Sequence, residues 1–73
     1  MDLVFTRHAL QRMAERGVTR EDVEQALNRQ VGQTRSGRPG NLVKSGYATG
    51  GRILGVVVSA ADERVVVSVW RSE

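Results

Sequence analysis

The sequence of 73 residues contains no cysteine, one proline, one histidine and one residue each of phenylalanine, tryptophan and tyrosine. Without cysteine, the chain can form neither disulfide bonds nor thiolate zinc sites. No cluster of His8 with acidic residues has the spacing of metal ligands, so we predict a domain without metal or other cofactor. The apolar runs, such as Val56-Val57-Val58, are too short to span a bilayer. The N-terminus also lacks the pattern of a signal peptide, and we therefore expect a cytoplasmic protein without membrane contact.

The length allows one domain, residues 1–73, with no room for a second. All but one of its 11 basic residues are arginine, and the formal net charge is +3. Basic and acidic residues balance in residues 1–30, whereas residues 31–58 contain basic residues and no acid. Arginine favours planar contacts with phosphate or carboxylate. The middle segment is therefore either a surface for a phosphate backbone or acidic partner, or simply a solubilising charge.

The first predicted helix carries the most informative pattern in the chain. His8, Arg12 and Arg16 are spaced by four residues, which places them in one row on a helix. A histidine that exchanges a proton beside arginines that bind phosphate could cut RNA. The same row could equally be a solvated helix surface, with Arg12 paired to Glu15. We name His8, Arg12 and Arg16 as candidate catalytic residues and leave both interpretations open.

The spacing of apolar and capping residues predicts an α+β fold. Thr6 and Thr19 are predicted N-caps of two helices, and Gly17 is a left-handed C-cap between them. Ala9, Leu10, Met13 and Ala14 are expected to form the buried stripe of the first helix. From Val31 the pattern changes to strands separated by turn residues. We predict a helical hairpin packed on an antiparallel meander of three or four strands, with helices at 7–16 and 20 to about 29, and strands at 31–35, 41–48, 52–59 and 64–71.

The last two predicted strands are apolar at successive positions, so both of their faces require cover. Two helices can cover one face only. The other face would then form a cleft, meet a partner or associate with a second copy. Gly46 and Gly55 lie inside strand patterns, which indicates bulges or close approach of another backbone. Trp70 is expected to pack in the core against the helices, with base stacking as the alternative.

Further residues are candidates for binding RNA. The basic segment contributes Arg35, Arg38, Lys44 and Arg52, and Tyr47 could stack on a base. Lys44 and Tyr47 would lie on opposite faces of a regular strand, and converge only if Gly46 marks a bulge. Ser68 is predicted to face away from Val67 and Val69. It has no second histidine to activate it, which argues against nucleophilic serine catalysis.

The motif His-Ala-x-x-Arg-Met-x-x-Arg-Gly-Val at residues 8–18 resembles the domain of unknown function 4258 family. Further matching segments lie at 22–27, 51–57 and 66–70, so the resemblance covers nearly the whole chain. That family looks related to the RelE-like and barnase–EndoU–colicin (BECR) ribonuclease toxins of bacterial toxin–antitoxin pairs. The resemblance implies a helical hairpin on a curved antiparallel sheet, with the active cleft where the helices meet the sheet. His8, Arg12 and Arg16 match the motif positions.

The first hypothesis is therefore a metal-independent endoribonuclease of toxin type, which cuts RNA through attack of its 2′-hydroxyl. Its partners would be RNA and an antitoxin or immunity protein. The alternative is a non-catalytic module that binds nucleic acid or protein through the basic segment and the uncovered sheet face. A third reading is a homodimer formed through the last strands.

Overall fold

A computed structural model of the chain describes residues 2–71. It is an α+β structure with two helices and a sheet of five strands, which confirms the predicted class. The first helix has the predicted bounds, and the second ends one residue short of the predicted Arg29. In chain order the elements are β1 (Val4–Phe5), α1 (Arg7–Arg16), α2 (Arg20–Asn28), β2 (Arg35–Ser36), β3 (Asn41–Tyr47), a 3₁₀ turn (Thr49–Gly51), β4 (Ile53–Ser59) and β5 (Val65–Arg71).

Three of the four helix ends lie at the predicted caps. The Thr6 hydroxyl accepts a hydrogen bond from the amide of Ala9 at the start of α1, and Gly17 ends that helix with a φ of 65°. At α2, the hydroxyl of Thr19 accepts from the Asp22 amide, while the Asp22 carboxylate accepts from the Thr19 amide. This reciprocal pair is a capping box. Local chemistry therefore sets three of the four helix boundaries.

The sheet has the order β1-β5-β4-β3-β2 and is mixed rather than purely antiparallel. Strands β2 to β5 form the predicted antiparallel meander, but β1 pairs in parallel with β5. The short N-terminal strand pairs with the edge of β5 that would otherwise be exposed. The Val4 amide donates to the carbonyl oxygen of Arg64, and the Thr6 amide donates to that of Val66. Closing that edge also fixes where α1 begins.

The predicted outer strand at 31–35 is wrong in extent. Only Arg35–Ser36 joins the ladder with β3, and Gln30 makes an isolated bridge with Gly46. Gly32 adopts a φ of 70°, which breaks an extended run because this conformation is incompatible with a strand. The segment before β2 therefore contacts β3 through the Gln30–Gly46 bridge and the hydrogen bond from the Val31 amide to the Ser45 carbonyl, without forming a continuous ladder.

Both helices pack on one side of the sheet, α1 against β5 and α2 against β3 and β4. Only Ala9 and Met13 of the predicted α1 stripe are buried, because Leu10 is 49% exposed and Ala14 also faces solvent. We call the packed side of the sheet the covered face. Its buried strand residues are Gly46 of β3, Leu54, Val56 and Val58 of β4, and Val66 and Val69 of β5.

Gly46 lies at a close contact between a helix and the sheet. A Cβ atom at this position would lie 1.8 Å from the carbonyl oxygen of Ala26 in α2. The register of β3 with β4 continues through Gly46 without a shift, so this glycine allows close backbone approach and is not a bulge. The Tyr47 amide also donates to the carbonyl of Arg29, which ties the end of α2 to β3.

Candidate nucleic-acid groove

The side of the sheet opposite the helices has a different chemistry. Because side chains alternate along a strand, the residues between the buried ones point to this second side. The strands β3, β4 and β5 contain no aspartate or glutamate. We call this side the open face, and its strand residues are Asn41, Val43, Ser45 and Tyr47 of β3, Gly55 and Val57 of β4, and Ser68 and Trp70 of β5.

A bulge in β5 shapes the centre of the open face. Val58 pairs with Val66 but Val57 pairs with Ser68, so Val67 is an extra residue in β5. As a result Val67 and Ser68 both line the same cavity. The prediction that Ser68 faces away from Val67 is therefore wrong.

Thr6 fastens the start of α1 to this bulge. Its hydroxyl accepts from the Ala9 amide at 3.1 Å and donates to the carbonyl oxygen of Val67 at 3.2 Å. The side chain that caps the helix is thus also bonded to the bulged strand. This double role holds the first turn of α1, and with it His8, at the edge of the open face.

A groove of about 620 Å³ lies between the first turns of α1 and the loop from β2 to β3. Four of its residues come from these two walls, His8 and Arg12 from α1 and Gly37 and Arg38 from the loop. The strands supply the remaining lining residues, which are Asn41, Val43, Val57, Val67 and Ser68.

The groove brings together two of the three residues in the predicted row. His8 and Arg12 line it, but Arg16 does not. Arg16 lies at the C-terminal end of α1, where its carbonyl oxygen accepts a hydrogen bond from Nη1 of Arg71 at 2.8 Å. A helix of ten residues is about 15 Å long, so its two ends cannot line the same end of a cavity this size.

The charged partner of Arg12 is the predicted one. The Nη1 atom of Arg12 lies 3.0 Å from Oε1 of Glu15, and both side chains are partly exposed. A surface pair at this spacing stabilises the fold by at most a few tenths of a kcal/mol, roughly. Arg12 can therefore exchange Glu15 for a phosphate at little cost in stability.

The structure divides the basic segment between separate surfaces. Arg38 lines the groove, and Arg35 pairs with Val43, which places its side chain on the same side of the sheet. Lys44 lies on the covered face, where its Nζ is 2.5 Å from Oε1 of Glu63. Arg52 lines a different cavity, of about 330 Å³, beside Asp22. The candidates for RNA binding thus do not form one continuous patch.

That smaller cavity is lined by Asp22, a carboxyl group with a perturbed pKa that joins two elements. Asp22 accepts a hydrogen bond from the hydroxyl of Thr49 in the 3₁₀ turn, in addition to its bonds with Thr19. Desolvation raises the pKa of Asp22, but the hydrogen bonds from Thr19 and Thr49 together outweigh it and leave the pKa below its ordinary value. Asp22 is thus a structural carboxylate that connects α2 to the turn between β3 and β4.

Two aromatic side chains are exposed on the open face, Tyr47 by 41% and Trp70 by 39%. Tyr47 and Lys44 lie on opposite faces of β3, as predicted for a strand without a bulge at Gly46. The expectation that Trp70 packs against the helices is wrong. Trp70 pairs with Gly55 across the sheet, and its neighbour Val69 takes the buried position under the helices instead.

Within residues 2–71, no three side chains of His, Asp, Glu or Cys come together in a way that could hold a metal ion. None of the helices in that range is long and apolar enough to cross a membrane.

These features define a small α+β domain with a basic groove on the open side of its sheet. Over residues 5–71 the chain matches the family model described as a domain of unknown function, DUF4258, and it belongs to that family. Neither the comparison with curated proteins nor that with solved structures found a match.

The groove also contains residues that the sequence did not identify as part of a site. Asn41 and Val57 line the groove because the strand register places them on the open face. Val67 and Ser68 line it together because of the bulge in β5. Thr6 had a visible signal as a helix cap, but its bond to Val67 depends on β1 pairing with β5. No local pattern encodes that pairing.

Proposed function

We propose that the open face binds RNA and that the groove cuts it without a metal ion. One observation carries the proposal: α1 and the loop from β2 to β3 bring His8, Arg12 and Arg38 to a single groove on a sheet side whose strands carry no acid. An acid-free basic surface attracts a phosphate backbone, and an accessible histidine supplies the proton transfer that cleavage requires.

The chemistry needs no group that the chain lacks. The 2′-hydroxyl of RNA attacks the adjacent phosphorus atom, and its proton passes to an imidazole nitrogen of His8. The bond from phosphorus to the 5′-oxygen breaks, and that oxygen takes a proton from a water molecule, whose hydroxide then recovers the proton held by His8. The products are a 2′,3′-cyclic phosphate and a 5′-hydroxyl. Arg12 and Arg38 stabilise the negative charge that develops on the phosphate oxygens.

The proposal assigns different roles to the candidate residues. His8 is the general base, Arg12 and Arg38 hold the scissile phosphate, and Arg35 and Tyr47 contact the neighbouring nucleotides. Arg16, Lys44 and Arg52 do not line the groove, so they have no part in the reaction as we propose it. The relation that we expect between this family and the RelE-like and BECR toxins implies the same activity, and it adds an antitoxin partner and a cytoplasmic RNA target to the proposal.

The test compares wild type with His8→Ala in a cleavage assay on single-stranded RNA, in the presence of a chelator. Loss of a general acid or base lowers the rate by about 10²- to 10⁴-fold. Gln11→Ala is the matched control, because Gln11 is an exposed polar residue of the same helix whose side chain bonds Glu15 and does not line the groove. Expression of the wild type should slow bacterial growth, and His8→Ala should relieve the effect. RNA that stays intact with the wild type at every pH would overturn the proposal.

One observation favours the alternative, a module that binds RNA without cutting it. Among residues 2–71, no side-chain hydrogen bond orients the imidazole of His8, whereas catalytic histidines are usually held in position by a second group. In that case wild type and His8→Ala would bind RNA with the same affinity, and neither would release a cyclic phosphate.

A further inference from the structure

Trp70 lies flat on the sheet. An ideal Cβ built on Gly55 would be 2.1 Å from Cε2 of the indole, 2.4 Å from Cζ2 and 2.5 Å from Nε1. The last two atoms are the bonded neighbours of Cε2, and both are farther from this point than Cε2 itself. A point beside the ring edge would be closer to a neighbour, so the Cβ position lies above the ring plane. The indole therefore covers Gly55 with one face.

The opposite face of the indole is available to a ligand. Trp70 remains 39% exposed although Gly55 beneath it is buried. Only glycine permits this arrangement, because any side chain at position 55 would lift the ring from the sheet. The result is an aromatic surface that lies on the sheet and presents one broad face to solvent, which is the geometry on which an unpaired base stacks.

The position of this surface relative to the groove identifies the kind of ligand. Ser68, two residues before Trp70 on β5 and on the same side of the sheet, lines the groove with His8 and Arg12. Two residues of a strand span about 7 Å. That distance is comparable to the step from one phosphate to the next in an extended nucleic-acid strand. A base adjacent to a phosphate in the groove can therefore reach the indole.

The surrounding charge favours nucleic acid over an apolar protein surface. The three long strands carry no acidic residue, and Arg12 and Arg38 line the groove next to this surface. A base inside a duplex has both of its faces stacked already, so only an unpaired base can use the indole.

We infer that Trp70, supported by Gly55, is a stacking platform that selects single-stranded RNA and holds the base next to the scissile phosphate. The inference rests on the proposed function, which identifies the ligand as RNA. It adds that the RNA is single-stranded and that Trp70 is the residue that selects it.

The fluorescence of Trp70 shows whether a ligand covers its ring, because Trp70 is the only tryptophan of the chain. The probe is a single-stranded RNA oligonucleotide with 2′-O-methyl groups, which cannot be cut because its 2′-hydroxyls are blocked. We expect this strand to quench the tryptophan emission, and the same strand annealed to its complement to leave the emission unchanged. Equal quenching by the duplex, or no quenching by either probe, would overturn the inference.

Substitutions test the platform independently of fluorescence. Trp70→Ala should weaken binding of the labelled single strand by about 10- to 100-fold, which is the usual loss when a base–aromatic stack is removed, and Trp70→Phe should retain most of the affinity. Val4→Ala is the control, because Val4 is another exposed apolar residue, 56% accessible, on a different strand. Thermal unfolding of each variant shows whether the fold persists. Wild-type affinity in folded Trp70→Ala would overturn the inference.

The outcomes separate this inference from the proposed function. If the single strand quenches the emission but the wild type never cuts RNA, the stacking platform is supported and the proposed nuclease activity is contradicted. Cleavage that is unaffected by Trp70→Ala contradicts the platform and leaves the nuclease in place. Emission that changes with protein concentration in the absence of RNA would show that a second copy covers the surface, and would also overturn the inference.

Discussion

The two sides of the sheet are built from the same three strands and differ in almost every other property. On the covered face, Leu54, Val56 and Val58 are buried beneath the helices. On the open face, the intervening positions are polar, small or partly exposed, and they surround a groove and a flat indole. The difference shows how strand alternation divides the residues of a chain of 73: it places one set in the core and leaves the other on the face that we propose binds RNA.

The two strand glycines provide the largest expected contrast. Gly46→Ala would place a Cβ atom 1.8 Å from the backbone of α2, so the helix or the strand must move. We expect a loss of about 3 kcal/mol or more in the free energy of unfolding, at the upper end of the range for overpacked cores. In Gly55→Ala the three nearest atoms to the new Cβ all belong to the indole of Trp70, an exposed side chain that can move into solvent. We expect a loss of about 1 kcal/mol there.

Denaturant unfolding of both glycine variants measures this difference. Nearly equal losses at the two positions would mean that the open face is packed as tightly as the covered face. That result would contradict the division between them.

The adjacent valines of β4 test the same division with a smaller change. Val56 is fully buried and Val57 lines the groove. Val56→Thr should lower the free energy of unfolding by about 1 to 3 kcal/mol, because it buries a hydroxyl group in an apolar core. Val57→Thr has the same shape change and should stay within about 0.5 kcal/mol of the wild type. Chemical denaturation of the two variants side by side measures both losses. A larger loss for Val57→Thr than for Val56→Thr would mean that the core lies on the open face, and would contradict the division.

The smallest expected change in stability comes from Asp22. This residue joins α2, which packs on the covered face, to the turn at Thr49. Its pKa is lowered in the folded state, so its contribution to stability is complete above the ordinary value of 3.8 and is lost as the pH falls through the folded pKa. Asp22→Asn should reduce stability by roughly 0.5 kcal/mol near neutral pH, a value reduced by solvent screening. The difference from wild type should disappear as the pH falls below the lowered pKa that Asp22 has in the folded state.

Melting temperatures at a series of pH values measure that convergence. If the two proteins differed by the same amount at every pH, the charge of Asp22 would have no part in joining α2 to the turn.

Local signals in the sequence predicted the helices well and the sheet edges poorly. The caps at Thr6, Gly17 and Thr19 act within a few residues, so the helix positions follow directly from the sequence. The parallel pairing of β1 with β5 joins residues about 60 positions apart, and no local pattern specifies it.

The candidate site was predictable in part for the same reason. His8 and Arg12 lie four residues apart on one helix, so the row that joins them was visible in the sequence. The bulge at Val67 shifts the register of β5 by one residue, which decides where Ser68 lies. Trp70 was misplaced because a large apolar residue in a valine-rich strand usually packs in the core.

The most direct test of the central claim is the chemical identity of the cut RNA ends. Single-stranded RNA is incubated with purified wild type, His8→Ala and Gln11→Ala in the presence of a chelator, and the fragments are analysed by mass spectrometry. We predict 2′,3′-cyclic phosphate ends with the wild type and with Gln11→Ala, and a loss of about 10²-fold or more in their yield with His8→Ala. Intact RNA with the wild type, or the same cyclic-phosphate yield from His8→Ala, would contradict it.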